Sequence, residues 1–278
     1  MVDIELIRKA LAEDLAGGQD ITSVATVSGS EHVVADFVAR KPGVIAGIDM
    51  AVATLREVGI TDIEVKLNDG DQVNPGSVLL TVRGDTRAIL LAERTALNFL
   101  GHLGGIATLT HTWVKAIAGT GCVIRDTRKT TPGMRLLEKA AVVAGGGSNH
   151  RLSLSDAALI KDNHIAAAGG VVEAFAKVRA AFPEAFIEIE VDTLDQLKEV
   201  ATESPDLVLL DNMSPDECRT AVEFVAGRFK LEASGGISLE NAKSYAESGV
   251  DYLAIGALTH SAPVLDIGLD MKLEKEAK

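Results

Sequence analysis

The chain has 278 residues, a formal net charge of −13 at pH 7 and 47% hydrophobic residues, a composition typical of a globular protein with a substantial core. Its acidity and its 4% aromatic content argue against the basic surface and the stacking platforms on which nucleic-acid-binding proteins depend. No apolar run reaches the about 20 residues that cross a membrane, and the acidic N-terminal segment lacks the apolar core of a signal peptide, so we expect a cytoplasmic protein that does not contact membranes.

Residues 1–104 predict an α+β domain that opens with an amphipathic helix. Alternating apolar residues predict three short strands at 32–40, 63–67 and 77–84. A helix is predicted near 49–58, and a long one follows from Asp85 to about Ile117. The glycine cluster at 101–105 predicts an interruption of the long helix and the domain boundary.

After this boundary the pattern becomes strand–helix–strand. Short apolar strands with polar ends are predicted at 122–126, 158–161, 185–191, 206–211, 229–233 and 252–256. Such strands, separated by helices, indicate a parallel sheet covered by helices. Polar residues such as Asp126 and Asp211 follow several successive strands, which favours a (β/α) barrel, whose strand ends face one mouth, over an open doubly wound sheet. Six strands instead of eight predict an α/β domain over 105–263 that forms an incomplete, barrel-like (β/α) structure.

The segment 125–165, here called the basic segment, has a local charge of +3 within an acidic chain. Arg135 and Lys139 lie on a predicted helix, where a solvated surface explains them. The other cations that we single out follow strands or lie in loops: Arg128, Lys129, Arg151 and Lys161. Cations gathered in this way predict a receptor for small anions, in which arginine matches carboxylates and lysine acts as a point charge for phosphate. His150 and His164 would allow the site to change its charge near neutral pH.

Two glycine motifs, at 233–238 and 254–260, follow the last two predicted strands. Glycine at this place lets backbone N–H groups approach a phosphate, and the N-terminus of the next helix adds a favourable dipole. Either motif alone is a weak signal, but the pair favours phosphate binding over simple turn formation. His260 either donates further hydrogen bonds to the phosphate or caps a helix.

Three carboxylates, Glu190, Asp192 and Asp211, end adjacent predicted strands. Such oxygen ligands near phosphates suit Mg²⁺, and the alternative is that they form ion pairs with the basic segment. Asp192 precedes Thr-Leu-Asp and resembles a helix N-cap. We therefore predict that Glu190 and Asp211 are functional residues and that Asp192 is mainly structural.

Long blocks of the chain resemble, in order, the quinolinate phosphoribosyltransferase family, the decarboxylating nicotinate-nucleotide pyrophosphorylases of NAD biosynthesis. The blocks are EDLAGGQDITS, KPGVIAG, ERTALNFLGHLGGIAT, DTRKTTPGMRLLEKAAVVAGGGSNHRLSLSDAALIKDNHI, IEIEVDTLDQL, LLDNMS, SGGIS and YLAIGALTHSAPVLDIGLDM. The resemblance implies an N-terminal α+β sandwich domain over 1–104 that is joined by the tail 264–278. It also implies a homodimer whose active sites use residues of both subunits, and it leaves assembly beyond a dimer open.

The same resemblance implies roles for single residues. Arg94 is implied to reach the substrate carboxylates of the neighbouring subunit. The other implied ligands of the pyridine dicarboxylate are Arg128, His150 and Arg151. Lys129 and Lys161 are implied to bridge carboxylate and phosphoribosyl groups.

The remaining implied residues lie on the ribose and phosphate side. Glu190 and Asp211 match the acids near the ribose and Mg²⁺, and with Lys129 and Lys161 they form the implied catalytic set. Further substrate-binding residues are Thr127, Ser234, Gly235, Gly236, Ile255, Gly256, Ala257 and His260.

The implied reaction joins quinolinate to phosphoribosyl pyrophosphate and gives nicotinate mononucleotide, pyrophosphate and CO₂, with Mg²⁺ as cofactor. Three alternatives are less favoured. A paralogue linked to molybdenum transport is expected to have altered substrate arginines, which are intact here, and a type I phosphoribosyltransferase is expected to have paired acids before a Thr/Gly phosphate loop, both of which LLDNMS lacks. A non-catalytic anion-binding module is expected to bind ligands without turnover, and the complete set of polar residues argues against it.

Overall fold

The structure, a computed structural model, describes residues 2–272 and divides into two compact units. The first unit comprises the chain up to 109, the segment 137–146 and the chain from 261 onward, and the second comprises 110–136 and 147–260. The segment 137–146 thus belongs to the first unit, although it lies within the range predicted for the second domain. Residues 273–278 of the predicted tail lie outside the described residues.

The elements in the first part of the chain are α1 (Ile4–Leu15), α2 (Ile21–Thr26), β1 (His32–Ala39), β2 (Gly43–Val44), α3 (Ile48–Glu57), β3 (Asp62–Val65), β4 (Gln72–Val73), β5 (Val78–Asp85) and α4 (Thr86–Ala116). Those that follow are β6 (Val123–Arg125), α5 (Arg135–Ala144), β7 (Ala158–Ile160), α6 (Asp162–Ala168), α7 (Val171–Ala181), β8 (Ile187–Val191), α8 (Leu194–Val200), β9 (Leu207–Asp211), α9 (Pro215–Val225), β10 (Lys230–Ser234), α10 (Ala242–Ala246), β11 (Tyr252–Ala254), α11 (Ala257–His260) and β12 (Ile267–Lys272). Every predicted strand is present within a few residues, whereas α2, α6, α11, β2, β4 and β12 are not among the predictions.

The first unit is built on an antiparallel sheet with the strand order β12–β1–β5–β3. β1 lies in its interior, paired on one side with β5 and on the other with β12 from the C-terminal tail. Its apolar core includes Leu55 of α3, Leu80 of β5, and Ile89 and Leu100 of α4, all fully buried. The pairing of β12 places the described part of the tail in the first unit, as the resemblance implies.

Helix α4 runs without a break through 101–105, so the predicted interruption is wrong. A Cβ on Gly105 would stand 2.2 Å from the carbonyl oxygen of Pro263, and one on Gly101 would stand 3.1 Å from that of Leu265. These glycines therefore allow the segment before β12 to pack closely on the helix. Neither α4 nor any other helix within residues 2–272 has the length and apolar character needed to cross a membrane.

The second unit contains one six-stranded sheet in the order β6–β11–β10–β9–β8–β7, with all neighbours parallel. The consecutive strands β6 and β7 form its two edges, and no ladder joins them within the described residues. This confirms the incomplete barrel. Because all six strands run in the same direction, their C-terminal ends lie at the same edge of the sheet.

Candidate active site

The C-terminal ends of the six parallel strands line a pocket of about 650 Å³, and every lining residue belongs to the second unit. The predicted site residues in its lining are Thr127, Arg128, Lys129, His150, Arg151, Lys161, Glu190, Asp211, Ser234, Gly235, Gly236, Ile255, Gly256, Ala257 and His260. Arg94 is not among them and lies exposed on α4 in the first unit. Residues predicted from successive strand ends therefore meet in one pocket.

Arg128 and Arg151, both half-buried, supply positive charge to this pocket. The Nε atoms of both side chains are buried and have no hydrogen-bond partner among the described residues. Burial, and then the nearby Arg128, lowers the pKa of Arg151 below its ordinary value. Arg151 is fixed from one side, because its Nη1 donates to the carbonyl of Ala157 at 2.9 Å. Two close guanidinium groups with unpaired N–H groups form a receptor for an anion.

The loop that carries Arg151 is held by Asp126, the residue after β6. Asp126 is fully buried, and its Oδ1 accepts the backbone N–H of His150 at 2.7 Å. Its own N–H donates to the carbonyl of Ser148 at 3.2 Å. Asp126, which the strand-end pattern marks as functional, therefore supports the loop and does not line the pocket.

Two buried glutamates that the sequence analysis did not select lie next to His150. His150 Nε2 is 2.7 Å from Glu188 Oε2 and 3.7 Å from Glu232 Oε1, and Arg125 Nη1 donates to Glu232 Oε2 at 2.7 Å. Burial raises the pKa of each glutamate to about 7, and for Glu232 the neighbouring Glu188 adds to the rise. An acidic residue inside an otherwise apolar strand is the signal that would have found both.

His150, Glu188 and Glu232 offer ligand atoms within 4.8 Å of one another, but their hydrogen bonds do not fit a metal ion. The backbone N–H of Arg151 donates to Nδ1 of His150 at 2.8 Å, so the ring proton of the neutral imidazole lies on Nε2, which faces the carboxyl groups. A metal ligand needs that nitrogen unprotonated. The cluster is therefore a buried polar network in which protein groups engage both ring nitrogens of His150.

Lys161, Glu190 and Asp211 follow one another at the ends of β7, β8 and β9. Lys161 Nζ donates to Glu190 Oε2 at 2.5 Å, which is the ion pair that the sequence left open as an alternative. Asp211 instead accepts a hydrogen bond from the neutral side chain of Asn212 at 2.7 Å. Burial, followed by the charges of Glu190 and Asp192, raises the pKa of Asp211 above its ordinary value. A cation between these acids would relieve their repulsion.

Thr193, and not Asp192, is the N-cap of α8, so the predicted capping role of Asp192 is wrong. Thr193 Oγ1 accepts the backbone N–H of Gln196 at 3.2 Å, and Gln196 Oε1 accepts those of Thr193 and Asp192. The sequence Thr-Leu-Asp-Gln is a capping box, which is the signal that identifies this cap. Asp192 does not line the pocket.

The first glycine motif forms a loop at the end of β10. Gly235 and Gly236 have φ values of 85° and 64°, and a Cβ on Gly235 would stand 2.1 Å from Oδ1 of Asn212, so only glycine fits there. α10 begins only at Ala242. The loop therefore presents backbone N–H groups without the helix N-terminus that the sequence predicted directly behind it.

The second glycine motif contacts Lys129. Thr259 Oγ1 donates to the carbonyl of Lys129 at 2.8 Å, and a Cβ on Gly256 would stand 3.0 Å from its Cδ. His260 ends α11 and lines the pocket. His164 lies outside this pocket, and its Nδ1 accepts the backbone N–H of Lys161 at the start of α6.

Family models match both halves of the chain. The model described as the N-terminal domain of quinolinate phosphoribosyl transferase matches residues 20–104, and the model of its C-terminal domain matches 106–270. A nicotinate-nucleotide pyrophosphorylase (carboxylating) of Mycobacterium leprae is 53% identical over 273 residues, with 96% of each chain covered. A probable nicotinate-nucleotide pyrophosphorylase (carboxylating) of Bacillus subtilis is 40% identical over 276 residues, with 98% of this chain and 94% of that one covered.

Solved structures have the same fold along nearly the whole chain. The NadC structure from Streptococcus pyogenes has a TM-score of 0.91 and 38% identity, covering 96% of this chain and 94% of that chain. The nicotinate-nucleotide pyrophosphorylase structure from Francisella tularensis has a TM-score of 0.93 and 37% identity, covering 97% and 95%. Because the likeness extends over both halves in sequence and in fold, this chain belongs to the quinolinate phosphoribosyltransferase family.

Proposed function

We propose that the protein transfers the phosphoribosyl group of phosphoribosyl pyrophosphate to quinolinate with loss of CO₂, giving nicotinate mononucleotide and pyrophosphate in NAD biosynthesis. The observation that carries the proposal is one pocket lined by two arginines with buried, unpartnered Nε atoms together with lysines, acids and glycine loops, all within the described residues. Quinolinate brings two carboxylates, and the donor brings a phosphate and a pyrophosphate, which are the anions that such a pocket suits. A cytoplasmic location is part of the same proposal.

Arg128 and Arg151 bind the carboxylates of quinolinate. Their planar guanidinium groups match carboxylates bidentately, and their buried Nε atoms have no partner among the described residues. His150 holds the backbone of Arg151 through its Nδ1. Since Glu188 fixes the opposite side of the His150 ring, the network keeps Arg151 in place before the substrate arrives.

The phosphoribosyl donor occupies the remaining part of the pocket. Lys129 packs on Gly256 of one glycine loop, and the backbone of the loop at 234–236 lies at the end of the neighbouring strand. Backbone N–H groups and lysines are the usual ligands of phosphate. Lys161 and Glu190, paired at 2.5 Å, line the same pocket, and in this proposal they contact the reacting groups.

Mg²⁺ is the proposed cofactor, and Glu190 and Asp211 are the residues that would hold it. The raised pKa of Asp211, caused by burial and then by Glu190, supports this fit, because carboxylates brought together in a partly buried site favour a divalent cation. When bound, the ion supplies positive charge against the departing pyrophosphate.

Displacement at the anomeric carbon passes through an oxocarbenium-like state, so that positioning and charge stabilisation are the main tasks of the protein. The arginines hold the ring so that its nitrogen attacks the anomeric carbon, while Lys129 and Lys161 stabilise the pyrophosphate that leaves with the bonding electron pair. The new C–N bond makes the ring a pyridinium cation. This cation accepts the electron pair left by departing CO₂, and a proton then replaces the carboxyl group on the ring carbon.

We also infer a homodimer in which Arg94 of one subunit completes the site of the other. Arg94 is exposed and belongs to the first unit, whereas the pocket is lined by the second unit alone. A second depression of about 850 Å³ beside the edge strand β7 carries the exposed apolar side chains of Leu154, Phe182 and Phe186. Contiguous apolar surfaces of this kind mark protein–protein interfaces.

The assay that tests the reaction combines the purified protein with Mg²⁺, quinolinate and phosphoribosyl pyrophosphate. We expect nicotinate mononucleotide and CO₂ in equal amounts, measured by chromatography and by release of label from the 2-carboxyl group. Nicotinate serves as the parallel substrate, since it lacks the second carboxylate that the arginine pair requires. Turnover of nicotinate without turnover of quinolinate would contradict the proposal.

A further inference from the structure

Asn212, the residue after Asp211 at the end of β9, has a left-handed backbone with a φ of 54°. Within residues 2–272, the other non-glycine residues with positive φ each cap the C-terminus of a helix: Ala16, Ser204 and Ala226. Asn212 ends no helix, and it lines the pocket. Asparagine tolerates this conformation better than most residues, and outside turns and caps it persists where surrounding contacts enforce it.

Three contacts hold Asn212 between two strand ends. Its backbone N–H donates to the carbonyl of Ser234 at 2.8 Å. Its Nδ2 donates to Oδ2 of Asp211 at 2.7 Å. Its Oδ1 fills the space beside Gly235, where a Cβ would stand only 2.1 Å away. One side chain therefore contacts both the acid at the end of β9 and the glycine loop at the end of β10.

We propose that Asn212 is a positioning residue for the phosphoribosyl donor, because it orients the carboxylate of Asp211 and holds the loop at 234–236 against it. The inference rests on the proposed function. A neutral amide fixes one carboxylate oxygen without cancelling the negative charge, in contrast to Lys161, which pairs with Glu190. The other carboxyl oxygen of Asp211 thus remains available to ribose hydroxyl groups or a cation, while the loop N–H groups stay aligned for a phosphate.

The contacts of Asn212 do not extend to the residues that bind the dicarboxylate. Arg128 follows β6, and Arg151 is held by Ala157 and by its own contact with His150. Loss of the Asn212 side chain is therefore expected to weaken binding of the ribose phosphate and to leave binding of quinolinate unchanged. A purely structural residue would affect both substrates or the stability of the fold.

The deciding variant is Asn212→Gly, which keeps the left-handed backbone and removes both side-chain contacts. Ala226→Gly is the matched control, since it relaxes a left-handed residue that caps α9 and does not line the pocket. Asn212→Asp keeps the size of the side chain but replaces the donor with a second carboxylate next to Asp211. For each variant the KM of both substrates, the calorimetric Kd of nicotinate mononucleotide and the Tm are measured.

We expect Asn212→Gly to raise the KM of phosphoribosyl pyrophosphate and the Kd of nicotinate mononucleotide by about tenfold, the usual effect of losing a hydrogen bond to a charged group. The KM of quinolinate should match that of the wild type and the Tm should not fall. Ala226→Gly should leave both KM values and the Kd unchanged, with a Tm equal to or above that of the wild type. Asn212→Asp should impair the donor more than Asn212→Gly. Equal rises in both KM values, or an unchanged donor KM in Asn212→Gly, would overturn the positioning role alone. A wild-type protein inactive with quinolinate would overturn the proposed function and this inference with it.

Discussion

Glu232 is fully buried beside Glu188, and Arg125 and His150 are the groups that face it. Its ordinary pKa of 4.5 rises to about 7 in the folded protein, because burial and the neighbouring carboxylate both favour the protonated form. A proton held between the two glutamates lets them serve as hydrogen-bond partners of His150 and Arg125 without two adjacent negative charges. The network that supports Arg151 is therefore sensitive to pH.

The free energy of unfolding is expected to fall as the pH rises from 4.5 to about 7. In this window the folded state keeps the proton on Glu232 and the unfolded state has lost it, so the stabilisation present at low pH disappears as the pH passes the folded pKa. Glu232→Gln should remove this component, on the order of 2 kcal/mol. Urea unfolding at about pH 5 and about pH 8 measures it, and Glu223→Gln, at an exposed site on α9, is the control. An equal pH dependence in wild type and Glu232→Gln would contradict the prediction.

At the scale of elements, the sequence patterns predict a helix or strand correctly where its own residues determine its structure. β9 has an apolar run and β8 alternates isoleucine with glutamate, so each strand can be predicted from its own sequence. The parallel direction of the strands then brings Lys161, Glu190 and Asp211 to one edge. Features that depend on residues far away in the sequence are not predicted by these patterns. β12 is a strand because it pairs with β1, and the φ of Asn212 depends on its contacts with Gly235 and Ser234.

The glycines of α4 illustrate the same limit, because a glycine in a helix indicates a bend and close packing equally well. Only the position of the segment 263–265, remote in sequence, shows that close packing is the reason here. The family resemblance supplied what patterns could not, namely which of the exposed residues, such as Arg94, are implied to belong to the site. Glu188 and Glu232 were missed because only the polar residues at the strand ends were considered, and not the acids inside the strands.

Gly105→Ala tests the packing of the C-terminal segment on α4. The added Cβ would stand 2.2 Å from the carbonyl of Pro263, so we expect a loss of roughly 1–3 kcal/mol in the free energy of unfolding, despite the better helix propensity of alanine. Gly101→Ala is the matched control, since its Cβ meets the carbonyl of Leu265 at 3.1 Å and needs a shift of only a few tenths of an ångström. Equal free energies of unfolding of the two variants in urea would show that the segment 263–265 moves away from the added Cβ without loss of stability.

At the scale of the whole molecule, the pocket contains the arginine pair and both glycine loops but lacks Arg94, which lies in the first unit. A closed dimer with twofold symmetry would use each surface patch twice, so that one Arg94 could serve each of two sites. In the proposed homodimer, a single subunit therefore has no complete active site.

Arg94→Ala and Lys129→Ala are each expected to be nearly inactive alone and to recover activity when their subunits are mixed. Random exchange makes half of the dimers mixed, and each mixed dimer has one intact site, so recovery should reach about a quarter of wild-type activity. Native mass spectrometry confirms the exchange, and each variant mixed with itself is the control. Confirmed exchange without recovery would show that the site is not shared.

Both sheets are completed by the last strands of the chain. β6 pairs with β11, where Val123 lies opposite Tyr252, and β1 pairs with β12, where Val34 lies opposite Lys272. During synthesis on the ribosome, β1 and β6 emerge long before β12 and β11, so each has an unpaired edge until its partner follows. Because residues at the end of β11 line the pocket, a chain released before β11 is expected to lack the complete pocket and to expose two strand edges.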